Sequence, residues 1–144
     1  MKKEKLIFLK PKEGDSIGQL LIEQGISAGF PSPADDFKEI RISLDRELVK
    51  NKESTFYARV SGNSMVKAGL SDGDLIIIDR SLSPENNKIA VCCVDGEFTI
   101  KRITKINNKV FLKPENENYK EIEITEGNSL IVWGIVTYVI KNVR

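Results

Sequence analysis

The chain has 144 residues, of which 40% are hydrophobic and 30% charged, and 22 Lys and Arg against 21 Asp and Glu give a formal net charge of +1. These values are typical of one folded globular domain; they exclude disordered and collagen-like chains, and the near-zero charge argues against direct nucleic-acid binding. The sequence contains no histidine, which excludes Ser-His-Asp and Cys-His catalysis, His-ligated zinc and imidazole pH sensing.

Residues 1–28 are predicted to form a short N-terminal arm. Five lysines and two glutamates among residues 1–13 make its start locally basic, which a solvated tail explains as well as a binding patch does. Ser16-Ile-Gly-Gln19 fits a capping box, and apolar residues at helical spacing follow it, which predicts one short helix that ends near Gly25. Because so short a helix is unstable alone, we expect the arm to pack against another folded surface.

The next segment is Gly25-Ile-Ser-Ala-Gly-Phe-Pro-Ser-Pro33. It is rich in small residues, and each proline biases the residue before it toward extended geometry. Two interpretations are open: a hinge, which the composition favours, or an extended peptide that is offered to an active site.

From about residue 39 the sequence predicts β-structure. Runs of β-branched and apolar residues bounded by Gly, Asp and Ser indicate strands at residues 41–44, 55–60, 75–78, 88–94, 97–103, 109–112, 121–124 and 130–140. Asp95-Gly96 is a strong signal for a two-residue hairpin. Helix is limited to about Leu44 to Lys50. We therefore predict a mainly β, compact antiparallel sheet or barrel-like domain over residues 29–144.

The two cysteines, Cys92 and Cys93, are adjacent in a predicted strand. Neighbouring strand residues point to opposite faces, so we expect buried thiols and no disulfide between them. Two thiols without histidine cannot build the usual zinc site, and we predict no metal and no cofactor. The apolar run of residues 6–9 is too short for a signal-peptide core, and no run is long enough to span a membrane, so the sequence predicts a cytoplasmic protein.

Ser61-Gly-Asn-Ser-Met65 directly follows a predicted strand. A serine at such a junction can project its hydroxyl beside backbone N–H groups that receive an oxyanion. The same residues are also ordinary turn formers, and by itself the segment is more simply interpreted as a turn.

Lys101 lies within the strand that follows the predicted hairpin, and Arg102 is its neighbour. Strand alternation places the two cations on opposite faces, so we expect one of them to face apolar surroundings. The commoner explanation of such a lysine is an edge-strand residue that blocks aggregation. The alternative is a desolvated lysine, because burial can lower a lysine pKa by ~3–5 units from ~10.4. A neutral amine can remove the proton of a serine hydroxyl, and a Ser-Lys dyad remains open to a histidine-free chain.

Three motifs together resemble the self-cleaving Ser-Lys peptidases of the LexA and phage-repressor type. They are Ser61-Gly-Asn-Ser64-Met65, Gly73-Asp74 and Asp95-Gly-Glu-Phe-Thr-Ile-Lys101-Arg. The resemblance is strongest to the UmuD proteins of SOS mutagenesis, which share the short arm where LexA has a DNA-binding domain. Residues 29–36 resemble the segment after the UmuD scissile bond, and residues 133–141 resemble the last UmuD strand.

This resemblance implies that Ser64 is the nucleophile, that Lys101 is the general base, and that the Ala28–Gly29 bond is cut. UmuD has cysteine before that glycine, so Ala28 is a departure that instead matches the Ala-Gly sites of LexA-type proteins. We expect backbone amides near Asn63 and Ser64 to hold the oxyanion.

The resemblance also implies partners. A RecA–single-stranded-DNA filament would stimulate the cleavage, and the product would join an error-prone Y-family polymerase subunit of the UmuC type as a homodimer. Two alternatives remain open. A signal-peptidase-like enzyme shares the Ser-Lys chemistry but needs a membrane anchor, whereas a non-catalytic β-sheet interaction module would use its arm to regulate partner binding without cleavage.

Overall fold

A computed structural model of the chain describes residues 8–11, 19–22 and 39–144. The chain divides into two compact units. One contains residues 8–11 together with residues 51–144, and the other contains the described part of residues 12–50. The elements, in chain order, are β1 (Phe8–Leu9), β2 (Gln19–Ile22), β3 (Glu39–Ile42), α1 (Leu44–Leu48), β4 (Thr55–Arg59), β5 (Leu75–Asp79), β6 (Ile89–Val94), β7 (Glu97–Ile106), β8 (Lys109–Lys113), β9 (Ile122–Ile124) and β10 (Leu130–Ile140), with 3-10 turns at Lys52–Ser54 and Val66–Ala68.

The smaller unit contains a two-stranded antiparallel sheet of β2 and β3, in which Gln19 lies opposite Ile42 and Ile22 lies opposite Glu39. The helix predicted in this part of the arm is wrong, because residues 19–22 form a strand. Pairing with β3 supplies partners for backbone N–H and C=O groups, whereas an isolated helical turn is costly to nucleate. Residues 16–18 and Gly25, at the two ends of that predicted helix, lie outside the described residues.

The larger unit contains an eight-stranded sheet in the order β1-β4-β5-β10-β6-β7-β8-β9, and each neighbouring pair in it is antiparallel. The prediction of a mainly β, antiparallel fold is therefore confirmed. Each predicted strand has a counterpart, with β7 continuing three residues beyond Ile103. The strand predicted at residues 41–44 instead spans Glu39–Ile42, because Leu44 begins helix α1. Strand β1 was not predicted, because two residues carry no periodicity.

The Asp95-Gly96 hairpin joins β6 and β7 as predicted. Asp95 has φ 48° and Gly96 has φ 85°, so both residues adopt the left-handed conformation that a type I′ turn requires. The Asp95 carboxylate accepts hydrogen bonds from the Ser129 backbone N–H at 2.8 Å and from Asn128 Nδ2 at 2.9 Å, and both lower its pKa. These bonds connect the hairpin to the start of β10.

Alternating side chains of β6 and β7 pack into two different hydrophobic clusters. Val91 and Ile100 belong to one cluster, together with Met65, whereas Cys92 and Ile103 belong to the other. This alternation follows from the two-residue repeat of a strand. The same repeat places Lys101 on the strand face opposite that of Ile100. Lys101 lies in the middle of β7, where Ile100 and Ile103 are also buried.

Among the described residues, the α-helix is limited to one short segment, as predicted. Helix α1 begins at the predicted residue and ends at Leu48 rather than Lys50. In the described part of the chain, no helix combines the length and apolar character that crossing a bilayer requires. The predicted boundary between residues 28 and 29 lies outside the described residues and stays a prediction.

Candidate active site

Ser64 lies in a tight loop between β4 and the 3-10 turn at Val66–Ala68. Gly62 has φ 97°, a left-handed conformation that disfavours residues with a side chain, and its N–H donates to the Asp72 carboxylate at 2.8 Å. Met65, which follows the serine, is fully buried in the hydrophobic core. The loop is thus fixed on both sides of Ser64, whose own side chain is 2% exposed.

A second loop, which follows β8, holds the backbone of this serine loop. The Glu115 N–H donates to the Ser64 carbonyl at 2.8 Å, and the Asn116 Nδ2 donates to the Asn63 carbonyl at 2.8 Å. The Asn116 Oδ1 accepts the Asn118 N–H at 3.0 Å, which fixes the orientation of the Asn116 amide. Two successive peptide carbonyls of the serine loop are therefore bound by the second loop.

These contacts also orient the N–H groups of the same two peptides. In a trans peptide the C=O and the N–H point in opposite directions. Binding of the Asn63 and Ser64 carbonyls therefore turns the N–H groups of Ser64 and Met65 away from the second loop. Ser64 was one of the two predicted oxyanion donors. These contacts orient its N–H, and they also orient that of Met65, which the sequence did not indicate.

Lys101 lies on β7, opposite Ala90 of β6, and its side chain is 5% exposed. Because β7 lies between β6 and β8, the interpretation of Lys101 as an edge-strand residue is wrong. The Lys101 Nζ lies 3.0 Å from the Ser64 Oγ, 2.6 Å from the Thr99 Oγ1 and 3.0 Å from the Ile100 carbonyl oxygen. The fold thus brings together the two side chains that were predicted to form the dyad, 37 residues apart in sequence.

These three contacts of the Lys101 amine suit a general base. A carbonyl oxygen only accepts, so the Ile100 carbonyl takes one N–H of the amine, and the Thr99 hydroxyl holds a second position. Burial disfavours the charged form of an amine. When both N–H groups of a neutral Lys101 are held in this way, the lone pair of its nitrogen can accept the hydroxyl proton of Ser64.

The other cation of the pair, Arg102, has a different environment. Its Nε lies 2.6 Å from the Glu115 carboxylate, and its guanidinium donates to the Asn87 carbonyl at 2.6 Å. Of the two neighbouring cations, Lys101 is the buried one. Arg102 instead binds the residue whose backbone N–H holds the Ser64 carbonyl.

Cys92 lies beside the dyad, on β6 opposite Thr99. Burial raises the pKa of its thiol to about 12; a positive charge on Lys101, when the amine is protonated, lowers this pKa by a smaller amount, and Cys93 raises it further. Cys92 is fully buried as predicted, and both cysteines are free thiols. The prediction that Cys93 is also buried is wrong, because Cys93 is half-buried. Among the residues that the structure describes, no cluster of His, Cys, Asp or Glu could hold a metal ion.

The predicted scissile residues Ala28 and Gly29 lie outside the described residues, so the cleavage site stays a prediction. Thr99 was given no role from the sequence, although its spacing of two residues places it on the same strand face as Lys101. Asn116 was missed, and no local pattern points to it, because its contact with Asn63 spans 53 residues.

Comparisons with known proteins agree with this geometry. Residues 20–137 match the family model described as Peptidase S24-like. The chain is 38% identical to Protein MucA of Salmonella typhimurium over 80% of the chain and 79% of MucA. It is 34% identical to Protein ImpA of Shigella flexneri over 93% of the chain and 91% of ImpA. It is 41% identical to the LexA repressor of Clostridium kluyveri over 70% of the chain and 50% of that repressor.

The family match covers most of the chain, including Ser64, Lys101 and the loop that supports the serine. Similarity to MucA and ImpA also extends over most of both proteins, whereas similarity to LexA is limited to about half of the repressor. The chain therefore belongs to the S24 peptidases, self-cleaving serine peptidases that include LexA and the UmuD-like proteins.

Proposed function

We propose that this chain cuts its own Ala28–Gly29 bond, with Ser64 as nucleophile and Lys101 as general base. The observation that supports these roles is the 3.0 Å distance between the Ser64 Oγ and the Lys101 Nζ in a buried site. Desolvation favours the neutral amine, and a neutral amine at hydrogen-bond distance activates a serine hydroxyl.

In the proposed mechanism Lys101 takes the hydroxyl proton while the Ser64 Oγ attacks the carbonyl carbon of Ala28. Backbone N–H groups of the serine loop stabilise the oxyanion; we assign this role to the Ser64 N–H with that of Asn63 or Met65. The tetrahedral species then expels the amine of Gly29, which receives the proton from Lys101. Water hydrolyses the remaining ester between Ser64 and Ala28, which releases the carboxylate and regenerates both side chains.

The UmuD-like relatives support a role in the SOS mutagenesis system. Within that system we propose that a RecA–single-stranded-DNA filament promotes the cleavage. The product, residues 29–144, then joins an error-prone Y-family polymerase subunit of the UmuC type as a homodimer. We place these events in the cytoplasm, where the two free thiols of the chain would stay reduced.

The test is self-cleavage of the purified chain at increasing pH, followed by mass spectrometry of the intact protein and its fragments. Because higher pH increases the neutral fraction of a lysine, we expect cleavage to accelerate with pH and to give a fragment that begins at Gly29. The Ser64→Ala and Lys101→Ala chains should stay intact. Lys105→Ala is the matched control, because Lys105 is an exposed lysine on the same strand, and it should cut at the rate of the unmodified chain.

An intact chain at high pH and with activated filament would refute the proposal and favour a non-catalytic interaction module. Cleavage at another bond that still requires Ser64 and Lys101 would preserve the dyad and refute only the assigned site. Cleavage that persists in the Ser64→Ala chain would refute the assigned nucleophile.

A further inference from the structure

Strand β1 occupies a groove formed by β4 and an aromatic cluster. Phe8 lies opposite Ala58 and Leu9 lies opposite Tyr57 in the antiparallel pairing of β1 with β4. The Phe8 ring packs against Trp133 with the ring centroids 4.4 Å apart, and against Phe98 at 5.2 Å. We call this site the strand groove and define it by the β4 edge together with Phe56, Phe98 and Trp133.

The side chains around β1 show that the groove fits an extended peptide with one inward aromatic residue. Phe8 is half-buried, whereas the neighbouring Leu9 points the other way and is 52% exposed. Lys10 follows and places its Nζ 5.1 Å from the centroid of the Phe56 ring, a cation–π contact. Backbone pairing with one buried aromatic anchor is the physics of β-strand addition to a sheet edge.

Both N-terminal strands precede the proposed scissile bond in the sequence, whereas the strands with which they pair follow it. Strand β1 precedes residue 28 and pairs with β4, and strand β2 also precedes it and pairs with β3 through four residue pairs. Cutting the bond between Ala28 and Gly29 breaks none of these described strand pairings. The fragment that carries β1 and β2 would then be joined to the rest of the protein only by non-covalent contacts.

We infer that this N-terminal fragment stays bound in the strand groove after the chain is cut, and that its release is a separate, slower step. The inference rests on the proposed cleavage site. Loss of the fragment, rather than cleavage itself, exposes the β4 edge and the aromatic cluster. The groove then becomes available to another extended segment, so the cut protein exists in a filled form and an open form.

The first experiment uses the full chain after self-cleavage at alkaline pH and return to neutral pH. Size-exclusion chromatography with mass spectrometry of each peak reports whether the two fragments elute together. Trp133 is the only tryptophan in the sequence and contacts Phe8 directly, so its emission reports on the groove. We expect co-elution and unchanged emission, followed by a slow red shift upon dilution as the fragment dissociates.

Two variants test the anchor. Phe8→Ala removes the half-buried ring and its contacts with Trp133 and Phe98, and we expect the fragment to dissociate about tenfold faster or more. Leu9→Ala is the matched control, because it keeps the backbone pairing and removes a side chain that is half exposed; we expect a change of less than about twofold. Immediate separation of the fragments of the unmodified chain, or equal effects of both variants, would overturn the inference.

A second arrangement separates this inference from the proposed function. A Ser64→Ala chain that carries a site-specific protease sequence between residues 28 and 29 is cut by added protease. Retention of the N-terminal fragment after this cut supports its binding in the strand groove, whether or not the chain cuts itself. Prompt loss of the fragment refutes its retention in the strand groove, even where self-cleavage of the unmodified chain gives a fragment that begins at Gly29.

Discussion

Replacing Asn116 with alanine tests how the loop after β8 acts on the nucleophile. Asn116 donates one hydrogen bond, of 2.8 Å, to the Asn63 carbonyl. The peptide that carries this carbonyl also carries the Ser64 N–H, which we propose as an oxyanion donor. The variant leaves Ser64 and Lys101 in place and loosens that peptide, whose carbonyl keeps only the longer bond of 3.4 Å from the Val66 N–H. We therefore expect slower self-cleavage through weaker stabilisation of the oxyanion.

The expected loss in cleavage rate follows from the hydrogen bonds that remain in the Asn116→Ala chain. Removing an oxyanion donor altogether costs ~10²–10³ in rate. In the Asn116→Ala chain the donor is still present, and the Glu115 N–H still holds the Ser64 carbonyl. We therefore expect a loss of about tenfold, which corresponds to ~1.4 kcal/mol in the activation free energy. The stability cost of one lost hydrogen bond should be about 0.5–1.5 kcal/mol.

The assay is the first-order rate constant of self-cleavage, measured by mass spectrometry across a pH series. Urea denaturation of the same samples gives the free energy of unfolding. Because Asn116 does not touch the lysine amine, the rate should fall by the same factor at every pH. The control is Asn118→Ala, since Asn118 contributes its backbone N–H to Asn116, and alanine retains that group.

Three results would refute this reasoning. One is an Asn116→Ala rate within twofold of the unmodified chain, and another is an equal loss in the Asn118→Ala chain. The third is a shift in the midpoint of the pH profile, which would mean that the variant acts on the base instead of the oxyanion.

Three further variants test the site and the fold. Lys101→Met should slow self-cleavage by at least ~10²-fold, since it removes the base, yet leave the melting temperature equal or higher, since a buried amine is costly to desolvate; cleavage at the normal rate would refute the role of the lysine. Burial alone raises the pKa of Asp79, but hydrogen bonds from Ser81, Asn51 and Ser54 outweigh it and lower this pKa from 3.8 to about 2. The ionised Asp79 carboxylate thus contributes about 2 kcal/mol to the free energy of unfolding above pH 4, and this contribution is lost between pH 4 and pH 2. In urea titrations Asp79→Asn should destabilise the protein at pH 6 and not at pH 2; an equal effect at both pH values would contradict this. A Cβ on Gly134 would lie 2.5 Å from the Ile78 Cγ2, so Gly134→Ala should cost about 1–3 kcal/mol in thermal denaturation, and an unchanged melting temperature would show that the overlap is relieved.

The sequence by itself determined the features that depend on neighbouring residues. Alternation predicted most of the strands, and Asp95-Gly96 predicted the hairpin, because a type I′ turn needs two residues that tolerate positive φ. Local alternation also required that Lys101 and Arg102 point to opposite faces. The motif around Ser64 and the position of Lys101 were sufficient, through their resemblance to a known family, to predict the dyad.

Only the tertiary structure decided the features that depend on distant partners. Residues 19–22 have an apolar pattern that suits a helix or a strand, and pairing with β3 selects the strand. Asn116 has no local signal, since its role comes from a contact across 53 residues. Whether Lys101 is an exposed edge lysine or a buried base depends on the strands at its sides and on the distance to Ser64. Strand alternation fixes the face on which a side chain lies, but the order of strands in the sheet determines whether that face excludes water and brings a nucleophile within reach.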